Sequence, residues 1–352
     1  MGFRMRSTIV EEVNRDGLYN QRGSWKSLVR TAPLSLNVTF LDFVKARVHT
    51  TLGFRPPPFI FCAEFCSAFF GSLWQFDSSS KLNLHPDFNI YLRDFSRTGR
   101  IGELAQALSY IFATKQQQYI FGGDTHGFLR NAYPGRVGFL QSQRVSDYLF
   151  YRESPSKQFL ALESKGTACS VKNTNSAIKN GLKNGLEQCA QFCESARLNL
   201  NFFIHKSICT TCVFRFDGDP EDTFMVFVDP EDAGEVDDKQ VEKLRQYHLS
   251  KWFNGAGRRD LAEKMLKGEL TEELLKREPK YREKFVSLNK FEFAFPSMGS
   301  YRKITLNFLI DLTFASSWRE PVYEEGSKQV FQSFCDGTAI EINISDKDLW
   351  RL

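Results

Sequence analysis

The chain has little of what marks several large enzyme classes. Only five of its 352 residues are histidine, and no Gly-rich phosphate loop or dinucleotide-binding fingerprint is present. The formal net charge is only +4, and no internal repeat or low-complexity segment is visible. These absences leave nucleotide-driven, redox and histidine-based catalysis without support, and they exclude fibrous and repeat architectures.

No apolar run is long enough for a membrane span. The best candidate, residues 58–74, contains Glu64, whereas a span needs about 20 predominantly apolar residues. The N-terminal sequence becomes acidic before an apolar signal segment could form. We therefore expect the eight cysteines to be reduced thiols in a cytoplasmic protein that does not enter a membrane.

What the chain does have is ample apolar mass, including 34 phenylalanines, so a large buried core is expected. Its length allows two domains or one domain with long elaborations. The pattern divides it into a mixed, partly helical region at 1–96, a core at 97–230, and a basic region of helices and strands at 231–352. Basic residues predominate in 1–60 and 239–290, which suits either a polyanionic partner or solvated helix faces.

Hydrophobic periodicity predicts an α/β protein whose central part runs helix, strands, helix, strand. Helices are expected at 39–52, 59–74, 101–114, 173–193, 240–253, 260–266, and 272–275 or beyond. Strands are expected at 119–121, 137–141, 148–151, 159–162, 201–204, 213–216, 224–228 and 304–312. The run 159–162 is apolar at every position, which is typical of a central strand covered on both faces.

Acidic residues flank a predicted β-hairpin. Asp147 opens its first strand, a turn follows near 153–157, and Glu163 closes its second strand. Lys165 lies two residues further on and therefore on the same face as Glu163. The hairpin spacing allows the two carboxylates to converge at one end of the sheet.

Two carboxylates and a strand-end carbonyl make an oxygen-rich site that suits Mg²⁺. A metal beside a phosphodiester neutralises charge and activates water, and a nearby ammonium could contact the phosphate. The alternative interpretation is a structural ion pair between Glu163 and Lys165.

These residues resemble the PD-(D/E)xK nuclease superfamily, the restriction-endonuclease-like fold. The resemblance spans about residues 99–228 and rests on Asp147, Glu163-Ser164-Lys165 and the Gly166-Thr167 exit toward a helix. One departure is Ser146, which stands where the family motif has proline. The resemblance implies a mixed sheet in αβββαβ order with N-terminal and C-terminal elaborations.

The resemblance also implies roles for individual residues. Mg²⁺ or Mn²⁺ would be held by Asp147, Glu163 and the Ser164 carbonyl, and Lys165 would position water and stabilise the transition state. The remaining two positions are further from the motif. They are Glu103, as an accessory metal carboxylate on the preceding helix, and Gln188, on the following helix, as a polar residue that orients water or DNA.

The expected function is that of a metal-dependent endonuclease that hydrolyses phosphodiester bonds of nucleic acid, most simply DNA, in restriction, antiviral phage defence or a mobile element. One site cuts one strand, so a homodimer or a partner subunit fits double-strand cleavage. The alternative is a catalytically inactive nuclease-fold module that binds nucleic acid or scaffolds partner proteins.

Three competing signals remain. A structural Zn²⁺ site could use four thiols, those of Cys189, Cys193, Cys209 and Cys212. The first two lie on the apolar stripe of a predicted helix, which favours core packing. Asp124 is a rival first carboxylate, although its distance in sequence from Glu163 makes it a poor hairpin partner. His126 could serve as a general base, but no paired Ser or Cys motif accompanies it, which favours a polar loop residue.

Overall fold

A computed structural model describes most of the chain. The described residues are 5–20, 23–52, 57–76, 80–92, 94–136, 144–229, 236–282, 284–297, 300–312, 319–326 and 329–344. The strand predicted at 137–141 lies outside them.

Helices alternate with strands along much of the chain. They are α1 (Arg15–Asn20), α2 (Phe40–Thr51), α3 (Pro58–Gln75), α4 (Phe88–Tyr91), α5 (Asp94–Ile111), α6 (Thr125–Ala132), α7 (Val171–Leu200), α8 (Asp238–Gly255), α9 (Arg259–Lys267) and α10 (Glu272–Leu275). A π-helical turn, Phe112–Gln116, extends α5.

Strands form two sheets. The strands are β1 (Arg6–Glu12), β2 (Leu34–Val38), β3 (Phe121–Asp124), β4 (Tyr148–Arg152), β5 (Gln158–Ala168), β6 (Lys206–Phe214), β7 (Phe224–Val228), β8 (Phe285–Ser297), β9 (Ser300–Asp311), β10 (Tyr323–Glu325), β11 (Gln329–Ser333) and β12 (Thr338–Ile344). The larger sheet has the order β2-β1-β7-β6-β5-β4-β3 and the smaller one β10-β11-β12-β9-β8.

The larger sheet is mixed, as the resemblance implies, and the protein is of the α/β class. Strands β3, β4 and β5 form an antiparallel meander, and β5 pairs in parallel with β6 after the crossover through α7. Strands β1 and β2, from the N-terminal region, extend this sheet beyond β7. The central sheet is therefore built from residues on both sides of position 97.

Helices α5 and α7 cover opposite faces of β5. A Cβ added at Gly166 would lie 2.7 Å from Ala105 on α5, and one added at Gly181 of α7 would lie 3.5 Å from the Cβ of Lys165. Successive side chains of a strand alternate between its faces. Glu163 and Lys165 therefore face α7, while Ser164 and Gly166 face α5.

The smaller sheet packs against helices from distant parts of the chain. Trp252 of α8 and Phe61 of α3 both make edge-on contacts with Phe308 of β9. This packing explains the apolar run that begins at Pro58. None of the helices in the described ranges is both long and apolar enough to cross a membrane.

Most predicted elements are present, with shifted ends. The strand at 224–228 has the predicted bounds, whereas the strand predicted at 119–121 begins and ends later, as β3. The helix predicted from 272 to 275 or beyond ends at Leu275. The strand predicted at 201–204 is wrong. Asn201 ends α7 with a left-handed backbone, and Phe202 then packs on Phe128 and Phe159 without pairing as a strand.

The start of α2 is hydrogen-bonded to the smaller sheet. Thr39 Oγ1 accepts a hydrogen bond from Asp42 N, and the Asp42 side chain accepts one from Thr39 N, forming a capping box. Thr39 Oγ1 also donates to Gln332 Oε1 of β11 at 2.7 Å. All three side chains are buried.

Thr39→Ala should lower the free energy of unfolding by about 1–2 kcal/mol, because it removes a helix cap and leaves Gln332 short of a buried partner. Urea denaturation measures the change. Thr271→Ala, which removes the exposed cap of α10, is the matched control and should cost less. Equal losses in the two variants would show that the link to β11 contributes nothing.

Candidate active site

The hairpin brings Asp147 and Glu163 together. The β4–β5 ladder begins at the pair Tyr148–Leu162, so the next residue on each strand lies just beyond it. There the backbone N–H of Asp147 donates to Glu163 Oε2 at 3.1 Å, and the N–H of Ser164 donates to Asp147 Oδ2 at 2.9 Å. Each acidic side chain is thus held by the backbone of the opposite strand.

The Ser164 carbonyl shares this edge of β5. In an extended strand the N–H and C=O of one residue point toward the same neighbour. The N–H of Ser164 points toward Asp147, so its C=O does as well. Two carboxylates and one carbonyl oxygen therefore meet where the β4 ladder has ended.

Lys165 and Gln188 complete the cluster around Glu163. Lys165 Nζ lies 2.5 Å from Glu163 Oε1, while Gln188 Nε2 donates to Glu163 Oε2 at 2.9 Å and to the Val145 carbonyl at 2.8 Å. Glu163 is 1% exposed and the Lys165 side chain 34%. The cluster therefore has a buried carboxyl group and an ammonium group that reaches solvent.

Close helix packing allows Gln188 to reach the strand. A Cβ at Gly185 of α7 would lie 2.1 Å from Cys209 Sγ and 3.3 Å from Glu163 Cγ. Only a residue without a side chain fits there. Because Gly185 has no side chain, the turn of α7 that carries Gln188 lies close enough for Gln188 to contact Glu163.

Burial and like charge dominate the electrostatics of the cluster. Burial, followed by repulsion from Asp147, raises the pKa of Glu163 to about 7. Burial also raises the pKa of Asp147, although the Ser164 N–H and the Lys165 charge oppose the shift. Burial disfavours the Lys165 ammonium, but its hydrogen bond to Glu163 and the charges of both carboxylates raise its pKa above the usual value. The cluster has more negative charge than one ammonium neutralises.

Glu103 lies apart from this cluster. It belongs to α5, on the opposite face of β5, and its carboxylate pairs with Arg100 Nη1 at 2.6 Å and Arg47 Nη2 at 3.2 Å. Of the six predicted site residues, the structure brings together Asp147, Glu163, Ser164, Lys165 and Gln188.

The four cysteines of the zinc alternative, all within the described residues, do not all face one point. Cys209 faces α7, next to Gly185, whereas Cys212 Sγ lies 3.8 Å from the Ala105 carbonyl of α5, on the other face of β6. Burial raises the pKa of Cys212 to about 12. These thiols therefore act as small core residues.

Asp124 lies one strand further from Glu163 than Asp147 does. It ends β3, pairs in register with Tyr148, and caps α6 by accepting from Gly127 N at 2.6 Å. The following residue, Thr125, donates its N–H to the Asp147 carbonyl at 3.1 Å. The order of strands in the sheet, which local sequence does not reveal, creates this contact.

In the described part of the chain, no group of three or more His, Cys, Asp or Glu side chains is placed to hold a metal. Mg²⁺ does not require one, because it commonly binds through one or two carboxylates and completes its shell with water and substrate phosphate. The donors at Asp147, Glu163 and the Ser164 carbonyl fit that kind of site.

Comparisons with protein-family models, curated proteins and solved structures gave no match to this chain.

The raised pKa of Glu163 predicts a pH-dependent stability in metal-free protein. Its favourable contribution to folding is fully present below about pH 4.5 and is lost as the pH rises through about 7. Asp147→Asn keeps an acceptor for the Ser164 N–H but removes the repulsion, so the variant should lose less stability than the wild type between these pH values. Urea denaturation across this range measures the difference.

Asp238→Asn removes a charge from an exposed position and is the control for net charge. It should follow the wild-type profile. Parallel profiles for the wild type and Asp147→Asn would contradict repulsion between Asp147 and Glu163.

Proposed function

We propose that the protein is a metal-dependent endonuclease that hydrolyses phosphodiester bonds in nucleic acid, with DNA as the expected substrate. The observation that carries the proposal is the reciprocal link between Asp147 and Glu163, with the Lys165 ammonium at the solvent side. Two carboxylates held this close, with raised pKa values, favour a site whose charge is completed by a cation.

The arrangement of elements supports the same proposal. Helix α5, strands β3, β4 and β5, helix α7 and strand β6 occur in this order along the chain, with α6 inserted between β3 and β4. Apart from that insertion, this is the αβββαβ order of the restriction-endonuclease-like core. The candidate residues lie at the N-terminal end of β4, along β5 and on α7, where the PD-(D/E)xK motif would require them.

In the proposed mechanism, Asp147, Glu163 and the Ser164 carbonyl would hold Mg²⁺ or Mn²⁺. When bound, the ion would neutralise phosphate charge and lower the pKa of attacking water. Glu163 must lose its proton to serve as a ligand, and its hydrogen bonds from Gln188 and Asp147 N favour the carboxylate. Lys165 would donate to the phosphate or the water from the solvent side.

The described cysteines are free thiols, as those of a cytoplasmic enzyme would be. There it would act in restriction, phage defence or a mobile element. Cleavage of both DNA strands would use a homodimer or a partner subunit.

One observation favours a second candidate function. Lys165 is already paired with Glu163 at 2.5 Å, as a purely structural ion pair would be. A catalytically inactive module that binds nucleic acid or scaffolds a partner would keep this pair closed.

Cleavage assays separate the two candidates. The wild type should cut supercoiled DNA with Mg²⁺ or Mn²⁺ and not with EDTA. Asp147→Asn and Glu163→Gln should each reduce the rate at least about 100-fold, as expected when a group that stabilises transition-state charge is lost. Linear DNA and RNA, assayed in parallel, identify the substrate.

Glu187→Gln is the matched control, because Glu187 is exposed on α7 next to Gln188. It should cleave like the wild type. A wild type that binds DNA without cutting it under any of these conditions would favour the inactive module, and full activity in both site variants would place the chemistry elsewhere.

A further inference from the structure

We infer that Asp124 and Tyr247 are positioning residues that set the place of Asp147 and so tune its affinity for a divalent metal. This role rests on the proposed function. It connects α8, which lies outside the αβββαβ elements, with the first carboxylate of the site.

The segment around Asp147 is fastened to the β3–α6 turn at three consecutive residues. The hydroxyls of Ser146 and Thr125 lie 3.2 Å apart, the Asp147 carbonyl accepts from Thr125 N at 3.1 Å, and Tyr148 pairs with Asp124 in the sheet. Ser146, where the resembled motif has proline, thus supplies a side-chain link that proline could not make. A shift of the turn would be transmitted to Asp147.

The turn is held in its place by Asp124. One carboxylate oxygen accepts from Gly127 N and caps α6, and the other accepts from the Tyr247 hydroxyl of α8. Lys251, one turn further along α8, brings its ammonium within 3.7 Å of the same oxygen. Asp124 is therefore fixed on one side by the helix that it caps and on the other by α8.

The backbone of β3 is shaped to receive Tyr247. A Cβ at Gly123 would lie 2.6 Å from the Tyr247 ring, so the ring packs directly on the strand. Tyr247 is fully buried, whereas the Asp124 side chain keeps 22% of its surface exposed. Loss of the hydroxyl would leave the ring packing intact and let water take its place on Asp124.

Two hydrogen bonds connect Tyr247 to the site. The Tyr247 hydroxyl donates to Asp124, and the N–H of the next residue, Thr125, donates to the Asp147 carbonyl. Groups that orient a metal ligand without touching the metal commonly change its affinity by about 10–100-fold when they are removed. A role of this kind alters metal binding more than it alters the folded state, which separates it from ordinary core packing.

The test uses Tyr247→Phe in the full-length protein. Mn²⁺ binding is measured from the electron paramagnetic resonance signal of free Mn²⁺, and the Mg²⁺ concentration for half-maximal cleavage is measured separately from the maximal rate. We expect the Kd for Mn²⁺ and the Mg²⁺ concentration for half-maximal cleavage each to rise roughly tenfold. The maximal rate at saturating Mg²⁺ should fall by a smaller factor. The urea midpoint should change little.

Tyr323→Phe is the matched control, because it also removes a tyrosine hydroxyl that donates to a carboxylate, Glu325, but in the smaller sheet. It should leave metal binding unchanged. Asp124→Asn, which keeps a capping oxygen for α6, is the second variant and should weaken Mn²⁺ binding even if Tyr247→Phe fails to fold.

The outcomes separate this role from the proposed function. A wild type that neither binds Mn²⁺ nor cuts nucleic acid would overturn both. A wild type that binds and cuts, with unchanged metal affinity in Tyr247→Phe and Asp124→Asn, would overturn only the positioning role. Equal weakening in Tyr323→Phe would overturn it as well.

Discussion

The close approach of two acidic side chains across the β4–β5 hairpin is the constraint on which the rest of the site depends. Asp147 and Glu163 each accept a hydrogen bond from the other strand's backbone, so neither can withdraw from the other without losing one of these bonds. Burial and mutual repulsion make the charged state of the pair unfavourable. Lys165 and Gln188 offset part of this cost, because both donate hydrogen bonds to Glu163.

The layers of the fold keep this pair in place. Helix α7 lies close enough for Gln188 to reach Glu163 because Gly185 has no side chain to meet Cys209. On the other face, Ser109 of α5 donates to the Ser164 hydroxyl at 2.9 Å. The smaller sheet joins this arrangement indirectly through a buried network, in which His248 of α8 bonds both to Asp336 and to the carbonyl of Gly122 in β3.

Local sequence predicted the hairpin because its signals are local: continuous apolar residues, a turn, and acidic residues at the predicted strand ends. The expectation that Glu163 closes the second strand was wrong, because β5 pairs with β6 as far as Ala168. Local sequence did not predict the ion pairs of Glu103 or the contact of Tyr247 with Asp124, residues 123 positions apart. Those depend on which strand and helix become neighbours, and no spacing within one segment encodes that. The strand predicted at 201–204 failed because apolar residues pack equally well in a buried connection.

The most direct test of a shared cation is the ionisation of Glu163 itself, followed by NMR of ¹³C-labelled glutamate side chains and assigned with Glu163→Gln. Metal-free protein should show one carboxyl that titrates near pH 7, and saturating Mg²⁺ should lower its pKa because a bound cation favours the charged form. A Glu163 resonance whose titration is unchanged by Mg²⁺ would contradict the account.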